Sequence, residues 1–346
     1  MEKFLKSRYR IGEKIGENPF SFTYKGYLMG TEVPVVIKIY KRSALNSPLI
    51  NKLRPKVTKI ISLDHPNIAR VIDGDYGWQG FYFVREFIEG ESMEDFLLKG
   101  VPALGVSVEM IKQILSSLAV AHKENLIHGA INPRNIFIVG GREIKVTDFI
   151  LEPGVRINPS LLAAAMTMDP KYMPPEQIKG EQINVASDIY STGVISYQIL
   201  TGQLPFSGSS GLGLALKVIS EEVEPPSYRN REVPEYLDSI IMKMLEKDPL
   251  QRLSSAEDAL ESMEKQRLIF KLPSQDLVNL IYEEEGESLL VYDDAKSRKT
   301  AHKSKSGKLK RRPKVKAILF LFVLLAIAAG LWYAFILNFI NMKQSQ

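Results

Sequence analysis

The stretch of sequence that decides the fold is His128-Gly129-Ala130-Ile131-Asn132-Pro133-Arg134-Asn135, which is followed by Thr147-Asp148-Phe149. Asn135 and Asp148 carry side-chain oxygens of the kind that a hard divalent cation prefers. Ala130 has no group that takes up a proton or orients a nucleophile. The stretch decides the fold through its place in a series of motifs, because a short motif taken alone recurs in unrelated chains.

The composition is that of a globular chain. Of its 346 residues 45% are hydrophobic and 25% are charged, so disorder is not the default, and the length suits two ordinary domains or one larger two-lobed domain. There is no cysteine, which excludes disulfides, thiolate metal sites and cysteine nucleophiles and fits a reducing setting. The net charge of +5 is concentrated in the C-terminal tail, which favours a membrane surface over nucleic acid as its partner.

Hydrophobic periodicity changes along the chain. Residues 9–40 alternate apolar and polar positions around turns, and the runs 33–39 and 81–87 are typical of strands. Residues 108–124 and 190–200 have helical spacing. A strand-rich segment before a helix-rich one predicts an α+β arrangement of two lobes.

Several motifs follow one another in the order and spacing of a protein kinase. Ile15–Tyr24 resembles the glycine loop G-x-G-x-x-G-x-V, Val35–Lys38 resembles V-A-I-K, and His128–Asn135 resembles H-R-D-L-K-P-x-N. Together they resemble the eukaryotic-like Ser/Thr kinases of bacteria, many of which are anchored by one helix. The resemblance covers residues 9 to about 266.

The resemblance implies a two-lobed protein-kinase-like fold. A small β-rich N-lobe would occupy residues 1–88 and a larger α-helical C-lobe residues 89–266. Framework motifs of the C-lobe are well kept: Met173–Glu176 stands for A-P-E, and the arginine that the family pairs with Glu176 is Arg252.

The catalytic loop departs from the family. Ala130 stands where the family has its catalytic aspartate, and Asn132 stands where it has the lysine that steadies the γ-phosphate. Acid–base help contributes about 10²–10⁴ in rate, and Asn132 also removes a positive charge. The resemblance therefore implies that no catalytic set is intact. We expect His128 to be a packing residue.

The nucleotide-binding residues are partly kept. By resemblance, Asn135 and Asp148 would bind Mg²⁺. The residues that would bind ATP are Ile15, Gly16, Thr23, Lys38, Glu86, Asn135 and Asp148. Asn18 and Ser21 replace two loop glycines, and Pro19 lacks an N–H that could face phosphate. Binding of ATP and Mg²⁺ therefore stays open.

The strand lysine lacks its usual acid. Lys56 occupies the helix position where the family has the glutamate that pairs with Lys38, and no acid lies between Glu32 and Asp64. Two ammonium groups about 4 Å apart repel by roughly 4 kcal/mol at an effective dielectric near 20. We expect Lys38 and Lys56 to stay apart or to bracket an anion.

An arginine, Arg85, falls where the family has an apolar residue at the back of the adenine pocket. Three placements are open. The side chain reaches forward to Asp148 or to phosphate, it blocks the pocket, or it turns outward to solvent.

The C-terminal segment predicts a membrane anchor. Between Ala317 and Ile340 the only strongly polar side chain is Asn338, and 24 helical residues span about 36 Å where a bilayer core needs about 20 residues. Lys296–Lys316 carries eleven Lys and Arg and no acid. The positive-inside rule therefore predicts a single-pass protein of the cytoplasmic membrane, with the kinase-like domain in the cytoplasm and the C-terminal tail 341–346 outside.

Residues 267–316 are interpreted as a juxtamembrane linker that is first acidic and then basic. Its basic part serves either as a topogenic flank or as a binding surface for anionic lipid headgroups. The spaced small residues Ala326 and Gly330 are a weak indication of a homodimer through the membrane helix.

Two functions remain open. The first is a pseudokinase that acts as a signalling scaffold or allosteric binding module for an unidentified cytoplasmic protein partner. The alternative is an active or weakly active Ser/Thr protein kinase with a rewired site, because phosphoryl transfer depends mainly on positioning and charge stabilisation.

Overall fold

The computed structural model describes residues 3–18, 21–42, 55–77, 80–149, 170–208 and 211–269. They lie within one compact unit, Met1–Leu289. The predicted linker beyond residue 269, the transmembrane helix 317–340 and the tail 341–346 lie outside the described residues, so these remain predictions. Within the described part, one helix, Leu104–Lys123, is long and apolar enough by length and composition to cross a membrane, and its apolar face packs in the core.

Six antiparallel strands form the N-terminal part. They are β1 (Lys3–Leu5), β2 (Tyr9–Glu17), β3 (Ser21–Leu28), β4 (Pro34–Tyr40), β5 (Val71–Gly77) and β6 (Gly80–Glu86). The sheet has the order β1-β2-β3-β4-β6-β5. The two predicted apolar runs became β4 and β6, which are buried along almost their whole length, as expected for continuous apolar strands.

A helix, α1, covers residues 55–61 of the described chain. Its apolar residues Val57 and Ile60 are buried and pack toward the sheet. A Cβ atom on Gly74 of β5 would lie 2.7 Å from Cγ1 of Val57, so this close approach requires glycine.

The larger C-terminal part is mainly helical. Its helices are α2 (Met93–Leu97), α3 (Leu104–Lys123), α4 (Pro175–Ile178), α5 (Val185–Thr201), α6 (Gly211–Ser220), α7 (Glu235–Met244) and α8 (Ala256–Glu264). Three short strands, β7 (Glu91–Ser92), β8 (Ile136–Val139) and β9 (Glu143–Val146), form a second sheet. The predicted helical segments 108–124 and 190–200 lie in α3 and α5, which confirms the α+β arrangement.

Helix α5 is the central buried helix of the C-terminal part. Asn184 and Ser187 form a capping box at its start, and this satisfies backbone donors that the first turn leaves free. It ends at Gly202, whose φ of 72° lies in the left-handed region that favours glycine.

A buried ion pair joins the segments around α5, as the sequence predicted. Arg252 and Glu176 are 0% and 2% exposed, and two parallel hydrogen bonds of 2.7 Å link them. Ser187 also donates its hydroxyl to Glu176 at 2.7 Å. Bidentate pairs of this kind fix geometry as well as adding energy.

The turn His65–Asn67 fastens the N-terminal sheet to β9. Val146 donates its N–H to the Asn67 carbonyl, and Ala69 donates to the Val146 carbonyl, both at 2.8 Å. Because Asp148 follows two residues after β9, this contact helps to set its position below the N-terminal sheet. β6 ends at Glu86 and β7 begins at Glu91, so the change of sheet falls across the predicted boundary at 88/89.

Candidate functional site

The loop 128–135 is fixed by the carboxylate of Asp188, which lies in the first turn of α5. Its two oxygens accept the backbone N–H groups of His128, at 2.8 Å, and of Gly129, at 2.7 Å. Gly129 has a φ of 68°, a conformation that most side chains disfavour. The buried carboxylate of Asp188 thus fixes the backbone at the start of the loop.

His128 is a packing residue, as expected. Its Nε2–H donates to the Thr147 carbonyl at 2.7 Å, and Nδ1 accepts the N–H of Ala130 at 3.2 Å. A carbonyl can only accept, so these partners assign the neutral tautomer. The fully buried ring lies 4.7 Å from the Phe149 ring, and burial lowers the pKa of His128.

Around Ala130 the loop hydrogen-bonds to itself. The Ala130 carbonyl accepts the side-chain amides of Asn132, at 2.8 Å, and of Asn135, at 2.9 Å. The Asn132 side-chain oxygen accepts the N–H of Arg134 at 3.0 Å. The two residues at the predicted catalytic positions therefore serve the loop conformation, and neither supplies a proton acceptor or a cation.

The strand lysine finds its acid across the cleft. Nζ of Lys38 lies 2.6 Å from Oδ2 of Asp148, and the side chains are 7% and 14% exposed. Burial works against the ionised carboxyl, but the charges of Lys38 and Arg85 hold the pKa of Asp148 below its ordinary value. The described part of α1 contains no acid, so Asp148 takes the place of the helix glutamate as partner of Lys38.

Arg85 points into the protein, which makes the outward placement wrong. It is 6% exposed, and its Nη1 donates to the Glu86 carbonyl at 3.0 Å. The guanidinium carbon lies 5.6 Å from the ring centre of Phe137 on β8. Burial lowers the pKa of Arg85, while the charges of Asp148 and Glu86 oppose that shift.

The Glu86 carboxylate forms an ion pair with a lysine of the C-terminal part. Its Oε1 atom accepts from Nζ of Lys145 at 2.8 Å and from the Arg70 N–H at 3.1 Å. Lys145 belongs to β9, so Glu86 links the two parts of the molecule beside the cleft. Its role in nucleotide binding stays a prediction.

The predicted glycine loop joins β2 and β3. Gly16 pairs with Thr23 in the sheet, and Ile15 is 47% exposed. Asn18 accepts the Ser21 N–H at 2.8 Å and the Ser21 hydroxyl at 3.1 Å. The two residues that replace glycines thus bond to each other, and the Ser21 N–H is directed to Asn18.

These residues fit Mg²⁺ and nucleotide only in part. Asn135 and Asp148 offer oxygen donors suited to Mg²⁺, and Lys38 suits a phosphate, but Oδ2 of Asp148 already binds the Lys38 ammonium. Arg85 is buried at the position that the resemblance places at the back of the adenine pocket. The phosphate side of the cleft thus keeps groups suited to a nucleotide, whereas the base side holds a buried guanidinium.

The family model for the protein kinase domain matches residues 9–263. This chain belongs to the protein kinase domain family. It is 31% identical over 263 residues to the probable serine/threonine-protein kinase PknB of Lactococcus lactis, covering 75% of this chain and 42% of that protein. It is 31% identical over 258 residues to the serine/threonine-protein kinase PrkC of Bacillus subtilis, covering 74% and 40%. The kinase domain thus corresponds to less than half the length of these relatives.

Solved structures share the kinase fold. Rad53 residues 1–466 in complex with AMP-PNP has a TM-score of 0.60 and 25% identity, covering 74% of this chain and 64% of that one. The PknI kinase domain of Mycobacterium tuberculosis has a TM-score of 0.59 and 17% identity, covering 75% and 96%. These findings confirm the predicted fold, a β-sheet N-lobe and a helical C-lobe.

Three features of the site were not predicted. They are the Lys38–Asp148 pair, the bond between Asn18 and Ser21, and the Phe137 ring beside Arg85. The absence of acid between residues 32 and 64 was a usable signal for the first, because it left Lys38 without a local partner. The other two depend on contacts that no spacing rule indicates.

Proposed function

We propose that this chain is a membrane-anchored pseudokinase that acts as a signalling scaffold or allosteric binding module. The observation that carries the proposal is the closed loop at Ala130, where both asparagine amides donate to the backbone carbonyl. A loop arranged in this way offers a substrate hydroxyl no proton acceptor and a γ-phosphate no cation. We expect the rate to lose the contribution of acid–base catalysis, about 10²–10⁴, and the stabilisation that a cation beside the γ-phosphate would give.

The glycine loop and the cleft support the same proposal. With the Ser21 N–H directed to Asn18 and no N–H on Pro19, the loop has fewer donors for phosphate. Lys38, Asn135 and Asp148 remain as candidates for holding ATP and Mg²⁺. A bound nucleotide would then act by favouring one conformation of the domain over another, in proportion to its difference in affinity for the two.

The decisive experiment measures phosphate transfer by the full chain, purified in detergent. Radiolabelled ATP with Mg²⁺ is offered to the chain alone and with a generic protein substrate, beside an active kinase. We expect no transfer above background, and an Asp148→Ala variant should look the same. Transfer by the natural chain that Asp148→Ala abolishes would refute the pseudokinase proposal.

A second function, a weakly active Ser/Thr kinase, is favoured by one observation. Lys38 and Asp148 are in contact in the cleft, and Thr147 donates its N–H to the Asn135 carbonyl at 2.8 Å, so three binding groups of the family are kept together. Since phosphoryl transfer relies mainly on positioning, the assay above would detect this function as slow, Asp148-dependent turnover.

The tether belongs to the same proposal. The apolar segment Ala317–Ile340 would anchor the chain, the basic segment Lys296–Lys316 would bind anionic headgroups, and the domain would meet a cytoplasmic partner or a second copy of the chain there. Full-length protein should pellet with membranes and resist extraction at alkaline pH, whereas a chain ending at residue 295 should not. Equal extraction of both would contradict the anchor.

A further inference from the structure

We infer that the guanidinium of Arg85 fills the base-binding part of the cleft and closes it to nucleotides until the side chain moves out. The inference rests on the proposed function, because it concerns the nucleotide site of that pseudokinase. It makes Arg85 the gate of the site and identifies which part of a nucleotide the gate excludes.

The position of Arg85 is set by the sheet. It is the penultimate residue of β6, opposite Val36 of β4 and Val71 of β5, and the connection to the C-lobe begins after the next residue, Glu86. From there the side chain enters the cleft between this connection and β8. One of its N–H groups donates to the Glu86 carbonyl, and the guanidinium lies near the Phe137 ring.

These two contacts are of a kind that would also suit a purine. A guanidinium is flat, carries N–H donors at its edge and stacks on aromatic rings. Adenine is also flat and carries an amino donor at its edge. One backbone carbonyl and one ring would serve either group, and in this structure the guanidinium uses both. The guanidinium of Arg85 thus uses contacts that a nucleobase could use.

The contacts also indicate that Arg85 is held weakly enough to leave. Its Nε–H has no hydrogen-bond partner among the described residues, and the donor that is satisfied meets a neutral carbonyl. The cleft carboxylate of Asp148 already pairs with Lys38. The charges of Asp148 and Glu86 offset the burial of Arg85 only in part, since its pKa is still lowered. Burying an incompletely compensated charge is unfavourable, so the closed state carries a cost that is relieved when the guanidinium reaches water.

Binding and shape are therefore coupled. A nucleotide must expel the guanidinium, and the expelled group releases the Glu86 carbonyl at the junction of the lobes. A ligand that binds only the open state is weakened by the small population of that state. Removing the gate should restore the lost affinity.

The test titrates adenosine against the full chain in detergent, with the natural protein and an Arg85→Met variant compared by calorimetry. Adenosine isolates the base slot because it has no phosphates to bind Lys38. Methionine matches the aliphatic part of the arginine side chain but lacks the guanidinium and its charge. We expect at least a fivefold tighter Kd for Arg85→Met. The matched control is Arg70→Met, which removes an exposed arginine next to β5 and should leave the Kd unchanged.

A gain below fivefold would overturn the inference, and so would a variant that folds and binds no adenosine at all. An equal gain in Arg70→Met would also overturn it, because the effect would then be one of charge alone. Melting curves establish that each variant is folded, and Arg85→Leu replaces the methionine variant if that one is not. The outcome is independent of the transfer assay, which alone decides whether the domain is a pseudokinase.

Discussion

Two buried arginines of this kinase domain have opposite surroundings. Arg252 in the C-lobe is 0% exposed and makes five hydrogen bonds, two of them to Glu176 and three to the carbonyls of Ala186, Glu246 and Lys247. A guanidinium has five N–H donors, so every donor is used. Arg85 in the cleft is 6% exposed, and the described residues give it one hydrogen bond, to a neutral carbonyl.

The difference shows what each region is built to do. Arg252 has a carboxylate partner and uses all of its hydrogen-bond donors, so it is part of the framework. The cleft arginine is buried with only partial compensation from the charges of Asp148 and Glu86, an arrangement that stability alone does not favour and that suits a group with a second position. Contacts that stabilise the fold are thus kept in the C-lobe, whereas groups that would take part in catalysis have been lost in the cleft.

The largest effect is expected when the framework arginine is removed. Arg252→Met leaves Glu176 buried and uncompensated, and breaking such a pair typically costs about 3–5 kcal/mol. Denaturant unfolding followed by far-UV circular dichroism measures the loss. Arg229→Met, which breaks an exposed pair with Glu224, serves as the control and should cost at most about 1 kcal/mol. Similar losses in both would mean that burial does not distinguish the two pairs.

A smaller effect is expected from pH, through the histidine that joins the two regions. His128 is bonded by its backbone to Asp188 and by its ring to Thr147. Because burial lowers its pKa, the unfolded chain takes up the proton first as the pH falls below about 6.5. Stability should therefore decrease from pH 7 to pH 5, by up to about 1.4 kcal/mol per pH unit.

The pH prediction is checked by comparing slopes. Free energies of unfolding are measured between pH 5 and 7 for the natural chain and for His128→Phe, whose slope should be shallower whatever its absolute stability. In His65→Gln, the part of the pH slope that comes from His128 should remain. Parallel slopes in the natural chain and His128→Phe would mean that His128 is not held neutral.

The smallest effect on stability is expected when the cleft arginine, Arg85, is replaced by methionine. Arg85→Met gives up one hydrogen bond, worth about 0.5–1.5 kcal/mol, and relieves a buried charge. Apolar replacements of buried charges are often neutral or stabilising, so the free energy of unfolding should change by less than about 1 kcal/mol in either direction. A loss near that of Arg252→Met in the same unfolding assay would show that Arg85 belongs to the framework.

The sequence predicted more of the framework than of the cleft. The runs that became β4 and β6, the helices α3 and α5 and the pair Glu176–Arg252 followed from periodicity and motif spacing, because these signals are local or fixed by the family pattern. Lys38 and Asp148 were both identified as binding residues, yet their direct contact was not, since it joins positions 110 residues apart.

By itself the sequence determined the family resemblance and the missing chemistry. No fold can give Ala130 a proton acceptor or Asn132 a charge, because those groups are absent from the side chains. Only the tertiary structure decided what the remaining charges contact. Lys38 turned to Asp148 and Arg85 turned inward because the sheet register and the packing of β8 and β9 under it determine which partners lie within reach.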